Sequence, residues 1–403
     1  MVNGWKQVPI SDIGVIQSGG TPSTKIAAYW DGHIAWCTPS DITDQKCKYI
    51  SSTERKITES GLDNSSATLL PKETILLYSR ATIGEMAIAA SEITTNQGFK
   101  NIICYDRYDN EFIYYALHEA KQEMISKAFG STFLEISKKE LGEISLQVPE
   151  DKSEQQEIAT ALSDIDELIL NLEKLIAKKT AIKQGTIQKL VTGKVRLPGY
   201  EGDWQPINMS QQSKLKARIG WQGLTTAEYL DAGYSYLITG TDFDSGRINW
   251  SRCHFVSQDR YIQDPNIQVE NGDVLLTKDG TIGKVALVDG LERPATLNSG
   301  VFVIRPLNSA YSARFLYYVL SSSVFDDFLD KLAAGSTISH LYQKDLVEFE
   351  FSAPPTIEEQ EDIATLIYDM ECEIRELRYQ REKYADIKAG MMNELLTGRK
   401  RLI

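Results

Sequence analysis

The residues with which this chain could do covalent or metal chemistry are few and scattered. It has four histidines, His33, His118, His254 and His340, and five cysteines, Cys37, Cys47, Cys104, Cys253 and Cys372. The cysteine number is odd and no Cys-x-x-Cys pair exists, so reduced thiols are expected, not disulfides or structural zinc. GTIGK from Gly280 lacks the earlier glycine and the following Ser or Thr of a phosphate-binding loop. No His-Glu-x-x-His, Gly-x-Ser-x-Gly or dinucleotide-binding glycine fingerprint occurs, nor an Asn-Pro-Pro-aromatic tetrad of amino-methyltransferase type. Without a nucleophile–base pair or a ligand set, a binding or scaffolding role is expected, with no catalytic residue, cofactor or metal on this chain.

The remaining polar residues are of types that recognise. SGGTPSTK holds Gly19, Gly20, Thr21 and Ser23, and RIGWQGLTT from Arg218 is its nearest counterpart. Ser79, Arg80 and Thr82 follow the strand-like ETILLYS, and Lys278 and Thr281 follow DVLLT. Asn96 and Gln97 precede FKNIICY, Asn298 precedes VFVIRP, and two Gly-Ser-Thr loops carry Ser131, Thr132, Ser336 and Thr337. Backbone amides and small hydroxyls suit phosphate contacts. Arg pairs in a bidentate way with guanine, and Asn or Gln with adenine. These sixteen residues are the candidate DNA contacts; for the glycine-rich loops an ordinary turn is the competing reading.

The elements that must position them are written twice. Placing each residue beside the one 205 positions later aligns Ser153–Leu197 with Glu358–Leu402 without a gap, including SEQQEIAT with EEQEDIAT. Weaker echoes extend upstream: FIYYAL with FLYYVL, ATIGEMAIA with GTIGKVALV, and Trp5 with Trp204. Internal repetition at this scale implies duplicated structural units. Residues 1–150 and 200–352 read as globular domains of mixed strands, loops and short helices, and 151–199 and 353–403 as helical regions.

Each helical region opens on acidic residues, where the helix dipole favours them. Asp151 with Glu154, Ser153 with Gln156, or Thr356 with Glu359 would form a capping box. Ile158, Leu162, Ile165, Ile169 and Leu172, continued by Ile176, follow heptad spacing, and Ile363, Ile367, Met370, Ile374 and Leu377 repeat the phase. Leu168, Leu175 and Ile182 form a second apolar column, which a further partner could cover. Gly193 and Gly398 stand where a left-handed cap would end each helix. The expected fold is mixed α/β. Two globular domains are separated by two long helices, which pair as an antiparallel coiled coil about a pseudo-two-fold axis. Homodimerisation through the same helices is the alternative. Glu154, Gln155, Glu359 and Gln360 are candidates for capping and for touching a partner.

The chain has 403 residues, 42% of them apolar and 25% charged. No apolar run reaches membrane-helix length and the first residues lack signal-peptide order, so no membrane role and a cytoplasmic address are expected. The formal net charge of −13 argues against autonomous tight DNA binding, because phosphate neutralisation supplies much of such affinity.

The pattern resembles the specificity (S) subunit of Type I restriction–modification enzymes. The resemblance covers essentially the whole chain. It rests on SGGTPS followed by YWDGHIAW, on TIG after a strand and on the Gly-Ser-Thr loops. Above all it rests on Pro-x(4)-Glu-Gln-x-x-Ile at each helix start, Pro149 to Ile158 and Pro354 to Ile363, with Thr-Gly-x-x-Arg-Leu at each end. It implies that each globular part is a target-recognition domain reading one half of a bipartite, asymmetric site in double-stranded DNA. The helices would set the spacer and dock two methyltransferase (M) subunits, and restriction (R) subunits would join them. S-adenosylmethionine, ATP and Mg would belong to those partner subunits, and this chain would catalyse nothing. SGGTPS has no clean copy in the second domain, so the loop role carries over only to the first. An S subunit of a combined cutter–methylase, or a coiled-coil adaptor that does not bind DNA, are the alternatives.

Overall fold

The computed structural model describes residues 4–45, 48–130, 134–218, 223–333 and 340–402. The chain divides into two compact units, Met1–Glu173 with Tyr379–Ile403, and Lys174–Arg378. The division runs through two 39-residue helices, Lys152–Leu190 and Ile357–Leu395, so each unit holds one globular part and a segment of each helix.

In the first unit a five-stranded sheet runs in the order Gly14–Ser18, Lys100–Cys104, Ile75–Leu77, Met86–Ala89, Tyr49–Ile50. A second sheet has Trp30–Cys37 between Arg55–Ile57 and Thr94–Thr95. Trp5–Pro9 pairs antiparallel with Ser145–Pro149, which closes the globular part at the mouth of the long helix. Successive strand side chains point to opposite faces. Ile75 and Leu77 therefore join the core around Phe112 and Tyr115, and Leu76 joins a second core with Cys37 and Phe99. Burial on both faces explains why this strand is apolar throughout.

The second unit repeats the plan. Its four-stranded sheet runs Ser213–Ala217, Val301–Pro306, Val274–Thr277, Val285–Leu287, and its three-stranded sheet has Ser235–Ile238 between His254–Val256 and Ala295–Leu297. Gln205–Asn208 pairs with Glu350–Ala353 as the closing ribbon. Val274 and Leu276 face the core around Phe315, and Leu275 faces a core with Ile238 and Val303.

Within each unit the helix segments run antiparallel, and ion pairs register them. The first unit has Glu154–Arg401 at 2.7 Å, Asp166–Lys388 at 2.6 Å and Glu173–Arg381 at 2.9 Å. The second has Glu359–Arg196 at 2.7 Å, Glu371–Lys183 at 3.3 Å and Glu373–Lys179 at 2.7 Å. Both helices end as expected: Gly193 and Gly398 have φ +68°, and the N–H groups of Val195 and Lys400 donate to Lys189 O and Glu394 O.

The expected seam is used differently from a simple coiled coil. Ile158 and Leu162 are fully buried in the first globular core beside Leu395 and Leu396, and Ile363 and Ile367 lie in the second beside Ile187 and Leu190. Ile165, Leu172 and Ile374 are buried, whereas Ile169, Ile176, Met370 and Leu377 are half-buried. Leu168, Leu175 and Ile182 stay exposed. Each helix is thus fixed in a globular core at both of its ends.

The repeated Glu-Gln requires a correction. Glu154, Gln155, Glu359 and Gln360 are at most 2% exposed, so they are not surface for a partner. The caps come from neighbours: Asp151 Oδ1 accepts from Ser153 N at 2.9 Å, and Thr356 Oγ1 from Glu359 N at 3.3 Å. Glu154 accepts from Arg401 Nε and Nη2 and from Trp5 Nε1, and Glu359 from Arg196 Nε and Nη2. Gln155 Oε1 accepts from Asp109 N at 2.8 Å while its Nε2 donates to Pro149 O at 2.9 Å. Gln360 does the same with Ser312 N at 2.7 Å and Pro354 O at 2.9 Å. Each glutamine ties its helix to the closing ribbon and to the N-cap of a packed helix.

Candidate nucleic-acid interface

In each unit three loops meet at one end of the main sheet. In the first, strand Ile75–Leu77 runs into a turn in which Tyr78 N donates to Glu85 O and Gly84 N to Tyr78 O, with φ +58° at Ala81 and +88° at Gly84. Ser79 N donates to Gly98 O at 2.8 Å, which ties this turn to the Asn96-Gln97-Gly98 loop. Ala81 N donates to Leu134 O and Ile136 N to Ser79 O, which ties it to the segment after the first Gly-Ser-Thr. The second unit reproduces the lacing: Thr277 N to Lys284 O, Gly283 N to Thr277 O, Lys278 N to Gly300 O, and Leu341 N to Lys278 O, each between 2.8 and 3.1 Å.

The SGGTPS loop joins the first cluster. Gly19 N donates to Phe99 O and Gly20 N to Thr95 O, and the Thr21 hydroxyl donates to Gln97 Oε1. A side chain at Gly19 would put Cβ 2.0 Å from Asn96 O, so close backbone approach dictates glycine there. The same place in the second unit holds Arg218, 2% exposed. Its Nε donates to Leu297 O at 2.9 Å and its Nη2 to Thr296 Oγ1 at 3.2 Å. Burial, then the nearby Arg260, holds its pKa below the ordinary arginine value.

Several candidate contacts prove to be fasteners. Ser79 is fully buried and its hydroxyl donates to Gly98 O, so it is no surface reader. The amides of Gly19 and Gly20 are already spent on carbonyls and offer nothing to phosphate. Asn96 Oδ1 accepts from Gly98 N at 2.8 Å. Asn298 uses both ends, accepting from Ser299 N at 2.8 Å and donating to Tyr229 Oη at 2.7 Å. Asn298 thus has both ends of its amide engaged, and Asn96 its oxygen. The competing demand is internal: a loop that leaves a sheet must satisfy its own backbone groups first.

Other candidates remain at the surface. Thr82, Gln97, Thr281 and Ser23 are exposed and Arg80 and Lys278 half-buried, with Lys278 Nζ 5.6 Å from the centre of the Phe302 ring. Ser131, Thr132, Ser336 and Thr337 lie outside the described residues.

One repeated feature escaped the sequence reading. Thr38-Pro39-Ser40-Asp41 and Thr239-Gly240-Thr241-Asp242 form the same turn beside the asparagine loops. Asp41 Oδ2 accepts from Thr38 N at 2.7 Å and Thr38 Oγ1 at 2.6 Å, and Asp242 Oδ2 from Thr239 N at 2.7 Å and Thr239 Oγ1 at 2.9 Å. Asn96 N donates to Cys37 O and Asn298 N to Ile238 O, which sets each turn against its asparagine loop. Burial pushes the Asp242 carboxyl up, against the hydrogen bonds from Thr239. The turns leave the hydroxyls of Ser40 and Thr241 exposed. The signal was present as Thr-x-Ser/Thr-Asp written twice.

Burial raises the thiol pKa values of Cys37, Cys104 and Cys253, so none is a poised thiolate. Among the described residues no three His, Cys, Asp or Glu side chains group as metal ligands would, and no helix is long and apolar enough to cross a membrane.

Comparison with known proteins agrees with this picture. Residues 3–184 and 227–380 match the family described as the Type I restriction modification DNA specificity domain. The chain is 45% identical over 172 residues to the Type I restriction enzyme MjaIX specificity subunit of Methanocaldococcus jannaschii, covering 42% of this chain and 40% of that relative. It is 23% identical over 414 residues to the MjaVIII specificity subunit of the same organism, covering 99% and 93%. In fold it is similar to the solved S subunit of a Type I system from M. genitalium, with a TM-score of 0.64 at 17% identity, over 98% of this chain and 96% of that one.

Proposed function

Because the chain belongs to the Type I restriction modification DNA specificity family, we propose that it is the subunit that selects the DNA sequence for such a complex. Each globular part reads one half of a bipartite site in double-stranded DNA. The observation that carries this reading is the repeated loop cluster: one hydrogen-bond frame holds it in both units, but the side chains it presents differ. Ser79 stands where the second unit has Lys278, Arg80 where it has Asp279, Gln97 where it has Ser299, and Gly19 where it has Arg218. A common frame with different side chains reads two different half-sites. Arg80, Thr82, Gln97, Thr21 and Ser23 in the first unit, and Lys278 and Thr281 in the second, are the proposed contacts, with Ser40 and Thr241 added.

The helices dock two M subunits, to which R subunits add. Support comes from apolar side chains that the fold leaves uncovered, Leu168 on the first unit and Leu175 and Ile182 on the second. Methyl transfer with S-adenosylmethionine, and ATP- and Mg-dependent cleavage, belong to those partners, and this chain contributes no catalytic group. With a net charge of −13 the chain leaves much of the phosphate neutralisation to its partners.

The test is to sequence DNA methylation in cells carrying this chain with an M subunit. A bipartite asymmetric adenine motif is expected that vanishes when the chain is removed. Arg80→Ala should relax one half-site and Lys278→Ala the other, by about 1–3 kcal/mol of discrimination for a bidentate base contact. A motif unchanged by deletion refutes the reading and favours an adaptor that does not bind DNA.

A further inference from the structure

In the second unit the paired helix segments and the ribbon of Phe243–Asp244 with Arg247–Ile248 enclose a cavity of about 310 Å³. Its charged lining is Lys183, Arg247, Arg375 and Arg378 against Asp244 and Glu371, that is 4 − 2 = +2 in a chain of net charge −13. Glu371 is shared: Lys183 Nζ lies 3.3 Å from one oxygen and Arg247 Nη2 3.4 Å from the other. Arg247 Nε reaches Asp289 only at 3.4 Å, and its Nη1 has no hydrogen-bond partner although shielded from solvent. The Thr180 hydroxyl on the same wall is also shielded and unpartnered. Arg375 and Arg378 are exposed, and neither makes an ion pair among the described residues; Arg375 Nη2 donates to Cys372 Sγ at 3.1 Å. Buried donors are rarely left unpaired, and here they coincide with surplus positive charge.

The first unit supplies an internal control. At the offset of 205, Glu371 corresponds to Asp166 and Lys183 to Lys388, and that ion pair is kept at 2.6 Å. Arg375 corresponds to Leu170, Arg378 to Glu173 and Thr180 to Ala385. Glu173 pairs with Arg381 at 2.9 Å. The ion pair that registers the helices is thus common to both copies, while the surplus cations and the spare hydroxyl belong to one. Helix pairing does not require them.

We propose that this cavity binds a phosphate group, taken either from the DNA backbone or from a free phosphate compound. Guanidinium forks match phosphate oxygens in a bidentate way; a free phosphate dianion balances the surplus of +2, and a backbone diester, with one negative charge, offsets half of it. The site goes beyond sequence reading, because a phosphate carries no base identity.

Inorganic phosphate titrated calorimetrically into the full chain, in chloride buffer at constant ionic strength, tests it. Wild type should bind saturably at one site. R375L/R378E, which installs the first unit's residues, and R378Q should each weaken binding at least tenfold without lowering the melting temperature. Absence of saturable phosphate binding in wild type, or affinity equal to wild type in both variants, overturns the proposal. Duplex DNA separates the sources. If the backbone supplies the phosphate, phosphate competes with DNA, and the double variant binds all sequences more weakly with a salt slope lower by about one. If the ligand is a free phosphate compound, DNA affinity is equal in variant and wild type while phosphate binding is lost. The methylation motif is scored separately, so a failed phosphate site and a failed specificity reading give different results.

Discussion

Replacing Gln360 by Met keeps the side chain's length and removes only its polar end. Two groups then lose their partner in a buried place: Ser312 N, now 2.7 Å from Oε1, and Pro354 O, now 2.9 Å from Nε2. Gln360 is 2% exposed, so water does not replace them. An unsatisfied buried group costs about 1–3 kcal/mol, so the variant should lose roughly 2–6 kcal/mol. That is a large part of the ~5–15 kcal/mol that a domain commonly has. Gln360→Glu should cost at least as much, because it sets a carboxylate against the Pro354 carbonyl. Gln155→Met does the same to Asp109 N and Pro149 O, within the first unit. Hydrogen exchange by mass spectrometry reads each unit separately. At about 1.4 kcal/mol per tenfold, a mid-range loss of ~4 kcal/mol raises exchange in helix Ala313–Leu320 by roughly a thousandfold. Exchange in Asn110–Glu119 should be unchanged, and Gln155→Met should reverse the pattern. An increase below tenfold in the affected unit, or equal increases in both, would refute the assignment of these glutamines as separate clamps.

Two further outcomes follow from local geometry. Burial, helped by Lys388 and Lys121, pulls the His118 pKa down to about 4. The unfolded chain takes up that proton near pH 6.5 and the folded one only near 4. This contribution to stability is therefore complete above about pH 6.5 and lost as pH falls toward 4, on the order of 3 kcal/mol. The denaturant midpoint of the first unit should fall less between pH 7 and 4.5 in His118→Gln than in wild type, and parallel profiles would contradict this. Gly193→Ala and Gly398→Ala, at φ +68°, should destabilise by about 1–2 kcal/mol. Gly185→Ala and Gly390→Ala, in helix interiors with nothing within 4 Å of a new Cβ, should stabilise by about 0.5–1 kcal/mol in thermal melts.

The long helices were legible because their signals are local. A 3.6-residue period, acidic first turns and a glycine at each end need no knowledge of the rest of the chain. The apolar strands ILL and VLLT were legible for a related reason, since a strand covered on both faces needs no alternation. The sites were less so. Ser79, Asn96 and Asn298 have the right chemistry for reading bases, and the fold uses them to fasten loops. Glu154 looked like part of a cap, but its partner Arg401 lies 247 residues away.

The sequence by itself determined the duplication, the paired helices, their glycine C-caps and the absence of familiar catalytic motifs, because each rests on short-range spacing or on comparison of the chain with itself. Only the tertiary structure decided which polar groups are spent and which are spare. A donor's availability depends on whether some distant carbonyl or carboxylate comes within about 3 Å of it. That is why the repeated glutamines became clamps, the glycine amides fasteners, and two arginines of the second unit a surplus with no counterpart in the first.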